Sequence, residues 1–458
     1  MNILILGAGQ VGSTLAANFS SEDENNVTIV DISSDQLKPL QDKYDLRTVQ
    51  GLASYPQILE QAGGANADLV IAVTKNDEVN ILSLQVAHKL FKNKTKIARI
   101  RSHEYLESEH IFRTNSAKEK VIDVFISPDK LVTDYILRLL EHPGALQVMD
   151  FAEGRLRLVA VKAFYGGPLV GHEIRDLKSH LPNNAETRIV AIFRNGQSIA
   201  PEGSTILEVG DEVFFLAERE NIKMVMSELR RLDKAYKRVM IAGGGNIGYR
   251  LAKELESRCS VKLIEHGEKR ARSISELLDD TLVLHGDATD QELLKQEGIQ
   301  DVDVFLALTN SDEANLISSM LAKKHGARKV MSIVNKTTYV DLVQNDAIDI
   351  AISPEQITIS GVLAYAREGD TETAYSLRRG AAEVMELVVH GHARESQVVD
   401  RMISEIPLPV GVTIGAVLRE DEVIIVHHDT VVHDNDHVVL FFSDKSQIPY
   451  IEKLFGGV

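Results

Sequence analysis

Short, nearly continuous apolar runs punctuate the first 125 residues: "NILILG" from Asn2, "NVTIVD" from Asn26, "LRTVQG" from Leu46, "DLVIAVT" from Asp68 and "KIARIR" from Lys96. Each has strand length and little polar–apolar alternation, which implies burial on both faces, as in a parallel sheet covered by helices. Between them, "VGSTLAANF" (11–19) and "EVNILSLQVAHKLF" (78–91) repeat their apolar positions at helical spacing. This alternation predicts an α/β, doubly wound, Rossmann-like domain over residues 1–125, and the same pattern returns over 236–350.

A helix is predicted after each domain. In "SPDKLVTDYILRLLE", Ser127 is placed to cap, Pro128 takes the first helical position and Asp129 sits in the first turn. Leu131, Val132, Tyr135, Ile136, Leu139 and Leu140 form a stripe wider than a single contact needs. "SPEQITISGVLAYA", from Ser353, is its counterpart. Two arrangements fit: a helix packed on its own domain, or a crossover helix that pairs subunits or halves. Segments 126–150 and 351–380 are read as these helices with their linkers. Residues 151–230 and 381–458 then read as small α+β lobes, with hairpin turns at "RNGQ" and "REDE". The basic stretch "RRLDKAYKR" (230–238) joins the halves and reads as a solvated linker.

The chain is one two-part unit written twice. Gly7, Gly9 and Gly12 recur as Gly243, Gly245 and Gly248. Asp68, Thr74, Asp77, Glu78 and Asn80 recur as Asp303, Thr309, Asp312, Glu313 and Asn315. "ISP" recurs at 126–128 and 352–354, and "GDEVFFL" (210–216) resembles "NDHVVLFF" (435–442).

Composition narrows the classes. The 458 residues are 44% hydrophobic and 26% charged, as in ordinary globular proteins. A net charge of −17 argues against broad nucleic-acid or anionic-membrane binding, which needs basic surface. The single cysteine, Cys259, excludes an intrachain disulfide and fits a reducing compartment. No apolar run approaches the roughly 18 residues of a membrane span, so a cytoplasmic location is expected, with any membrane association made through a partner.

The candidate chemistry is nucleotide binding. In "GAGQVG" (Gly7, Ala8, Gly9, Gln10, Val11, Gly12), the first glycine makes the tight turn. The second lets backbone approach a pyrophosphate, and the third lets helix and sheet pack closely. The helix N-terminus then offers free N–H groups to phosphate. Asp31, at the end of the second strand, is placed for ribose hydroxyls and disfavours a 2′-phosphate. "GGGNIG" (Gly243, Gly244, Gly245, Asn246, Ile247, Gly248) with Glu265 repeats the device. Thr74 and Lys75 are expected at the carboxyl edge, with Arg99 and Arg101 on one side of the fifth strand as phosphate ligands or as salt-bridge partners. The second half has "MSIVNK" there, with no arginine, so its site is expected to be weaker for polyphosphate or selective for a different nucleotide. The histidines of "IIVHHDTVVHDNDH" suggest metal, but Asp436 aligns with the turn residue Asp211, so a solvated hairpin edge is the preferred reading. No catalytic motif appears, and neither β lobe reads as a substrate domain; no catalytic residue and no metal site are expected. An NAD-dependent oxidoreductase, or a scaffold that no longer binds nucleotide, stand as the alternatives.

Taken together, "ILGAGQVG", Asp31, "IAVTKNDEVN", "ARIRS" and the lobe with "GDEVFFL" resemble the RCK, or KTN, domains that regulate potassium transport. The resemblance covers essentially the whole chain, as two complete RCK units in tandem. It implies NAD or NADH and ATP/ADP as cofactors, held by the two glycine turns, Asp31, Thr74, Lys75, Arg99 and Glu265. It also implies a homotetrameric ring at the inner face of the membrane, gating a TrkH-like potassium channel subunit according to the ligand bound.

Overall fold

The computed structural model describes residues 1–458 except 22–24, 92–94, 113–119, 183–184, 337–338, 340–347, 367–370, 378–381, 393–395, 421 and 457–458. The apolar runs form a six-stranded parallel sheet from β1 (Asn2–Leu6), β2 (Asn26–Asp31), β3 (Arg47–Gln50), β4 (Leu69–Ala72), β5 (Thr95–Arg99) and β6 (Val124–Ile126). Its order is β3-β2-β1-β4-β5-β6, so the strand order switches sides between β1 and β4 and opens a crevice at the carboxyl ends of those strands. β4 is buried at every position, as expected of a strand covered on both faces.

An antiparallel lobe follows, built from β7 (Ala145–Phe151), β8 (Leu156–Lys162), β9 (Thr187–Arg194), β10 (Gln197–Ile199) and β11 (Glu212–Glu218). Asn195 and Gly196, both at positive φ, make the hairpin between β9 and β10. The second half repeats the parallel sheet with β12 (Arg238–Ala242), β13 (Ser260–Glu265), β14 (Leu282–His285), β15 (Val304–Ala307), β16 (Lys329–Ile333) and β17 (Ile350–Ile352). Its lobe comprises β18 (Thr371–Leu377), β19 (Ala382–Val388), β20 (Arg401–Met402), β21 (Val412–Arg419), β22 (Glu422–Ile425), β23 (Val431–Val432) and β24 (His437–Phe442).

The helices after the Rossmann-like sheets exchange places. Val132, Ile136 and Leu139 of helix Pro128–Glu141 are buried in one cluster with Val239, Ile241, Leu251 and Leu255 of the second Rossmann-like domain. Ile359, Val362, Leu363 and Ala366 of helix Pro354–Ala366 are buried with Ile3, Ile5, Leu15 and Phe19 of the first. Both are crossover helices, each closing the core of the other half. The wide apolar stripe follows from this, because helix Pro128–Glu141 also packs on β7 and on its counterpart. The two helices meet at Gly361, where a Cβ would lie 2.8 Å from Leu131 Cδ1.

The lobes also pack together. Phe151 meets Tyr375 edge to face at 5.3 Å, and Phe214 and Leu216 share a core with Val384, Val439 and Phe441. The stretch between the halves is solvated at most positions, as its composition implies, but pinned at a few points. Tyr236 is buried under the Arg328 guanidinium, which also donates to the Lys234 carbonyl at 2.7 Å. Arg230 donates to the Gly144 carbonyl at 3.1 Å.

A buried ionic knot ties the first crossover helix to its lobe. Arg157 donates from Nε to Asp150 Oδ1 at 2.6 Å and from Nη1 to Glu141 Oε2 at 2.8 Å. Its Nη1 also lies 2.6 Å from His142 Nε2, which therefore accepts. Burial, then the Arg157 charge, bring the His142 pKa down to about 4.

Two predictions follow from this packing. Gly361→Val should wedge the crossover helices apart and cost about 1–3 kcal/mol, the usual penalty for overpacking, read as a lowered denaturation midpoint of the full chain. His142 titrates near 4 when folded and 6.5 when free, so the unfolded chain binds the extra proton between those values. Its contribution is complete above about pH 6.5 and fades as pH falls towards 4, by up to ~3 kcal/mol. The drop in thermal midpoint from pH 7 to pH 5 should accordingly be smaller in His142→Gln than in the wild type.

Candidate functional site

Both glycine turns lie at the crevice edge of their sheets. Gly7 adopts φ +110° and donates to the Val30 carbonyl at 2.8 Å, turning the chain out of β1. A Cβ on Gly12 would overlap the Gly7 carbonyl oxygen, so helix and strand approach too closely for any side chain. Gly9 is different: a Cβ there would meet nothing within 4 Å. It is the N-cap of helix Gln10–Phe19, which has no side-chain cap. Its first-turn N–H groups are therefore left for a ligand or water. Gln10 is exposed beside this opening and Val11 is buried beneath it.

Asp31 is fixed by two backbone donors, Ala8 N–H at 2.7 Å and Ser33 N–H at 2.8 Å. A carboxylate has lone pairs beyond these two, so it can also accept from hydroxyls above the turn. The second half reproduces the geometry. Gly243 has φ +109° and donates to Ile264, Gly245 is an open N-cap, and Gly248 abuts the Gly243 carbonyl. Glu265 accepts from Gly244 N–H and Gly267 N–H, both at 2.7 Å.

The other edge of the crevice departs from expectation in two details. Thr74 lies two residues past β4, because its N–H and hydroxyl both donate to Asn80 Oδ1, at 2.9 and 2.7 Å, and leave the ladder. Asn80, fully buried, donates in turn to the Arg99 carbonyl at 2.8 Å and so clips the ends of β4 and β5 together. Thr309, Asn315 and the Ile333 carbonyl repeat the clip. The recurrence of Thr, Asp and Asn in both halves was the available signal for it. Asp77 accepts from Arg101 N–H and Ser102 N–H, holding the loop after β5.

Arg99 and Arg101 do not form an equivalent pair. Arg99 ends β5 and is buried, with no hydrogen-bond partner at Nε; Arg101 lies beyond the strand and is exposed, as is Lys75. Burial, then Arg101, lower the Arg99 pKa to about 10, which leaves it cationic at neutral pH. In the second half the equivalent positions hold Ile333, Asn335 and Asn310.

Contacts across the halves reach both turns. Asn246 Nδ2 donates to Asp129 Oδ2 at 2.9 Å, and Thr14 Oγ1 to Glu355 Oε1 at 2.9 Å. Each first-turn acid of a crossover helix thus touches the glycine-turn helix of the opposite domain. One further residue, Arg270, donates from Nε to the Gly244 carbonyl at 2.8 Å. Far from these turns, Asp436 accepts from Arg419 and His433 N–H, as Asp211 accepts from Arg194 and Glu208 N–H. That shared lock explains the acid of the histidine-rich stretch; among the described residues no group of three or more His, Cys, Asp or Glu is placed to hold a metal ion. No helix of the described residues is long and apolar enough to cross a membrane.

Comparisons with known proteins agree with the duplication. The TrkA-N domain matches residues 3–128 and 239–354, and the TrkA-C domain matches 158–230 and 393–456. The fold and its turns therefore define a tandem repeat of TrkA-N and TrkA-C domains, the RCK architecture. The chain is 54% identical over 456 residues to the Trk system potassium uptake protein TrkA of Halomonas elongata, covering 99% of this chain and 98% of that one. It has the same identity and coverage with that of Vibrio alginolyticus. The chain belongs to the TrkA family of Trk system potassium uptake proteins. Among solved structures, the GsuK RCK domain has a similar fold, with a TM-score of 0.60 at 17% identity over 99% of this chain and 94% of that one. A GsuK channel bound to NAD scores 0.60 at 17% identity, over 99% and 78%.

The turn geometry separates two glycine substitutions. Gly12→Ala should lower stability by about 1–3 kcal/mol or more, since backbone must move. Gly9→Ala should stay within about 1 kcal/mol, the scale of an N-cap exchange. Thermal denaturation of the two variants checks both.

Proposed function

We propose that this chain is a nucleotide-sensing regulatory subunit of a potassium uptake system, binding NAD or NADH and ATP or ADP and gating a TrkH-like membrane channel subunit from the cytoplasmic side. The observation that carries this reading is the pair of open glycine turns. In each, an uncapped helix N-terminus faces the crevice beside an acid already oriented by two backbone N–H groups. Such a site offers N–H dipoles to a pyrophosphate and a carboxylate to a ribose. Gly7–Gly12, Asp31, Thr74, Lys75 and Arg99 form the first site, and Gly243–Gly248 with Glu265 the second. The buried Arg99 with its unpaired Nε gives the first crevice a fixed cation for phosphate. The NAD found in a GsuK channel of similar fold supports the ligand class.

The nucleotide acts as a signal and not as a reactant. A ligand shifts a conformational equilibrium only by its differential affinity for the two states. The crossover helices begin at the crevice, two residues beyond β6 and β17, and bury their apolar faces in the opposite half. A closure of either crevice around phosphate therefore moves a helix that the other half is built upon. In a homotetrameric ring, that motion reaches the channel.

Calorimetric titration with NAD, NADH, ADP and ATP tests the reading on the wild type, Asp31→Ala and Glu265→Ala, with circular dichroism confirming that each variant is folded. Asp31→Ala should weaken one class of site by about 10-fold or more, the scale of a lost charge-assisted hydrogen bond, and Glu265→Ala the other. Absence of binding to the wild type would overturn the proposal.

A further inference from the structure

The two crevices share their backbone geometry but place their positive charge on opposite sides. In the first, Lys75, Arg99 and Arg101 lie at the ends of β4 and β5. β5 is two strands from β1, about 10 Å from the glycine turn at the usual strand spacing. The second crevice has Asn310, Ile333 and Asn335 at those positions. Its cation on that edge, Lys336, is bound to Glu313 at 3.0 Å.

On the other side of the turn the situation reverses. Arg270, on helix Glu268–Ser275 after β13, donates from Nε to the Gly244 carbonyl at 2.8 Å. That carbonyl immediately precedes Gly245, the open N-cap of helix Asn246–Leu255. Arg270 is an exposed residue, and among the described residues it pairs with no carboxylate. Its Nη groups are therefore left for a ligand at the mouth of the turn. The equivalent residue of the first half is the uncharged Gln36. The backbone is adjusted to bring this helix close: a Cβ on Gly244 would sit 2.5 Å from Ile274 Cδ1, whereas the first half carries Ala8 at that place.

We infer that Arg270 is the phosphate-binding specificity determinant of the second site, which takes an adenine nucleotide whose charge ends at a diphosphate lying on the glycine turn. This inference rests on the reading that both turns bind nucleotide. A diphosphate over Gly245 meets the helix N–H groups from below and the Arg270 guanidinium from the β13 side. A third phosphate reaching towards β16 finds Ile333 and Asn335 in place of cations. The first site has the opposite preference, because its cations lie at the far edge and reward a longer reach.

The test uses the full chain with the first site silenced by Asp31→Ala, and titrates ADP, ATP and adenosine. This protein should bind ADP at the second site, with ATP no tighter. Adding Arg270→Ala should weaken ADP by about 10-fold or more, as expected for a lost charge-assisted contact. Adenosine should be nearly unaffected, and Arg270→Lys should recover part of the ADP affinity. If Arg270→Ala leaves ADP unchanged, or weakens ADP and adenosine equally, the inference is wrong and the residue serves the fold alone. If the wild type binds one nucleotide that Asp31→Ala abolishes, the second site is silent and the inference falls while the first-site reading stands. If the wild type binds none, both fall.

Discussion

Everything in this molecule depends on an exchange: each Rossmann-like half lacks one helix of its own core and takes it from the other. Ile359, Val362 and Leu363 come from beyond residue 350, yet they bury the strand face that begins at Ile3. Full burial of such side chains contributes about 1.5–3 kcal/mol each at most. The swap therefore supplies a share of stability comparable to the whole margin of an ordinary domain. Neither sheet can close without the other, which makes the pair a single cooperative body. The ionic knot around Arg157 then fastens the first crossover helix to its lobe. The sheet-on-sheet contact of the lobes completes the circuit.

Within that body, backbone and side chains follow different rules. The backbone of the turns is held by contacts that tolerate no substitution, such as Gly12 against the Gly7 carbonyl and Gly248 against Gly243. The acids Asp31 and Glu265 are held just as firmly, by paired N–H donors. The cations around them are not shared: Ile333 stands where the first half has Arg99, and Gln36 stands where the second has Arg270. Geometry is common to the two crevices, and electrostatics distinguishes them.

The parts legible in the amino-acid sequence are those written in local periodicity or in residue type at fixed spacing. The buried strands, the glycine turns with their acids, the Asn-Gly hairpin and the equivalence of Asp436 with Asp211 are all of this kind. The destination of the crossover helices was not legible, because the width of the stripe from Leu131 to Leu140 reveals a second contact without naming the partner. Thr74 reads as the end of β4 until the Asn80 side chain is seen to take its N–H. Arg99 and Arg101 look alike in an alternating strand, but β5 ends between them and only one is buried. The linker reads as solvated because lysines and arginines dominate it, while the buried Tyr236 and the Arg230 bond to the Gly144 carbonyl anchor it. Arg270 was hidden for the same reason, inside the charged run "EHGEKRARS", which resembles any solvated helix face.

The exchange of helices also bears on origin. Two identical chains with this fold would bury the same faces by trading their crossover helices, as an isologous dimer does. Such a dimer is obliged to carry any substitution in both sites at once. Joining the copies through residues 230–238 makes association intramolecular, so it no longer depends on protein concentration. It also releases the sites from that obligation, since a change in one copy is no longer mirrored in the other. A dimer of identical chains can hold only twin sites; the joined chain can hold two different ones.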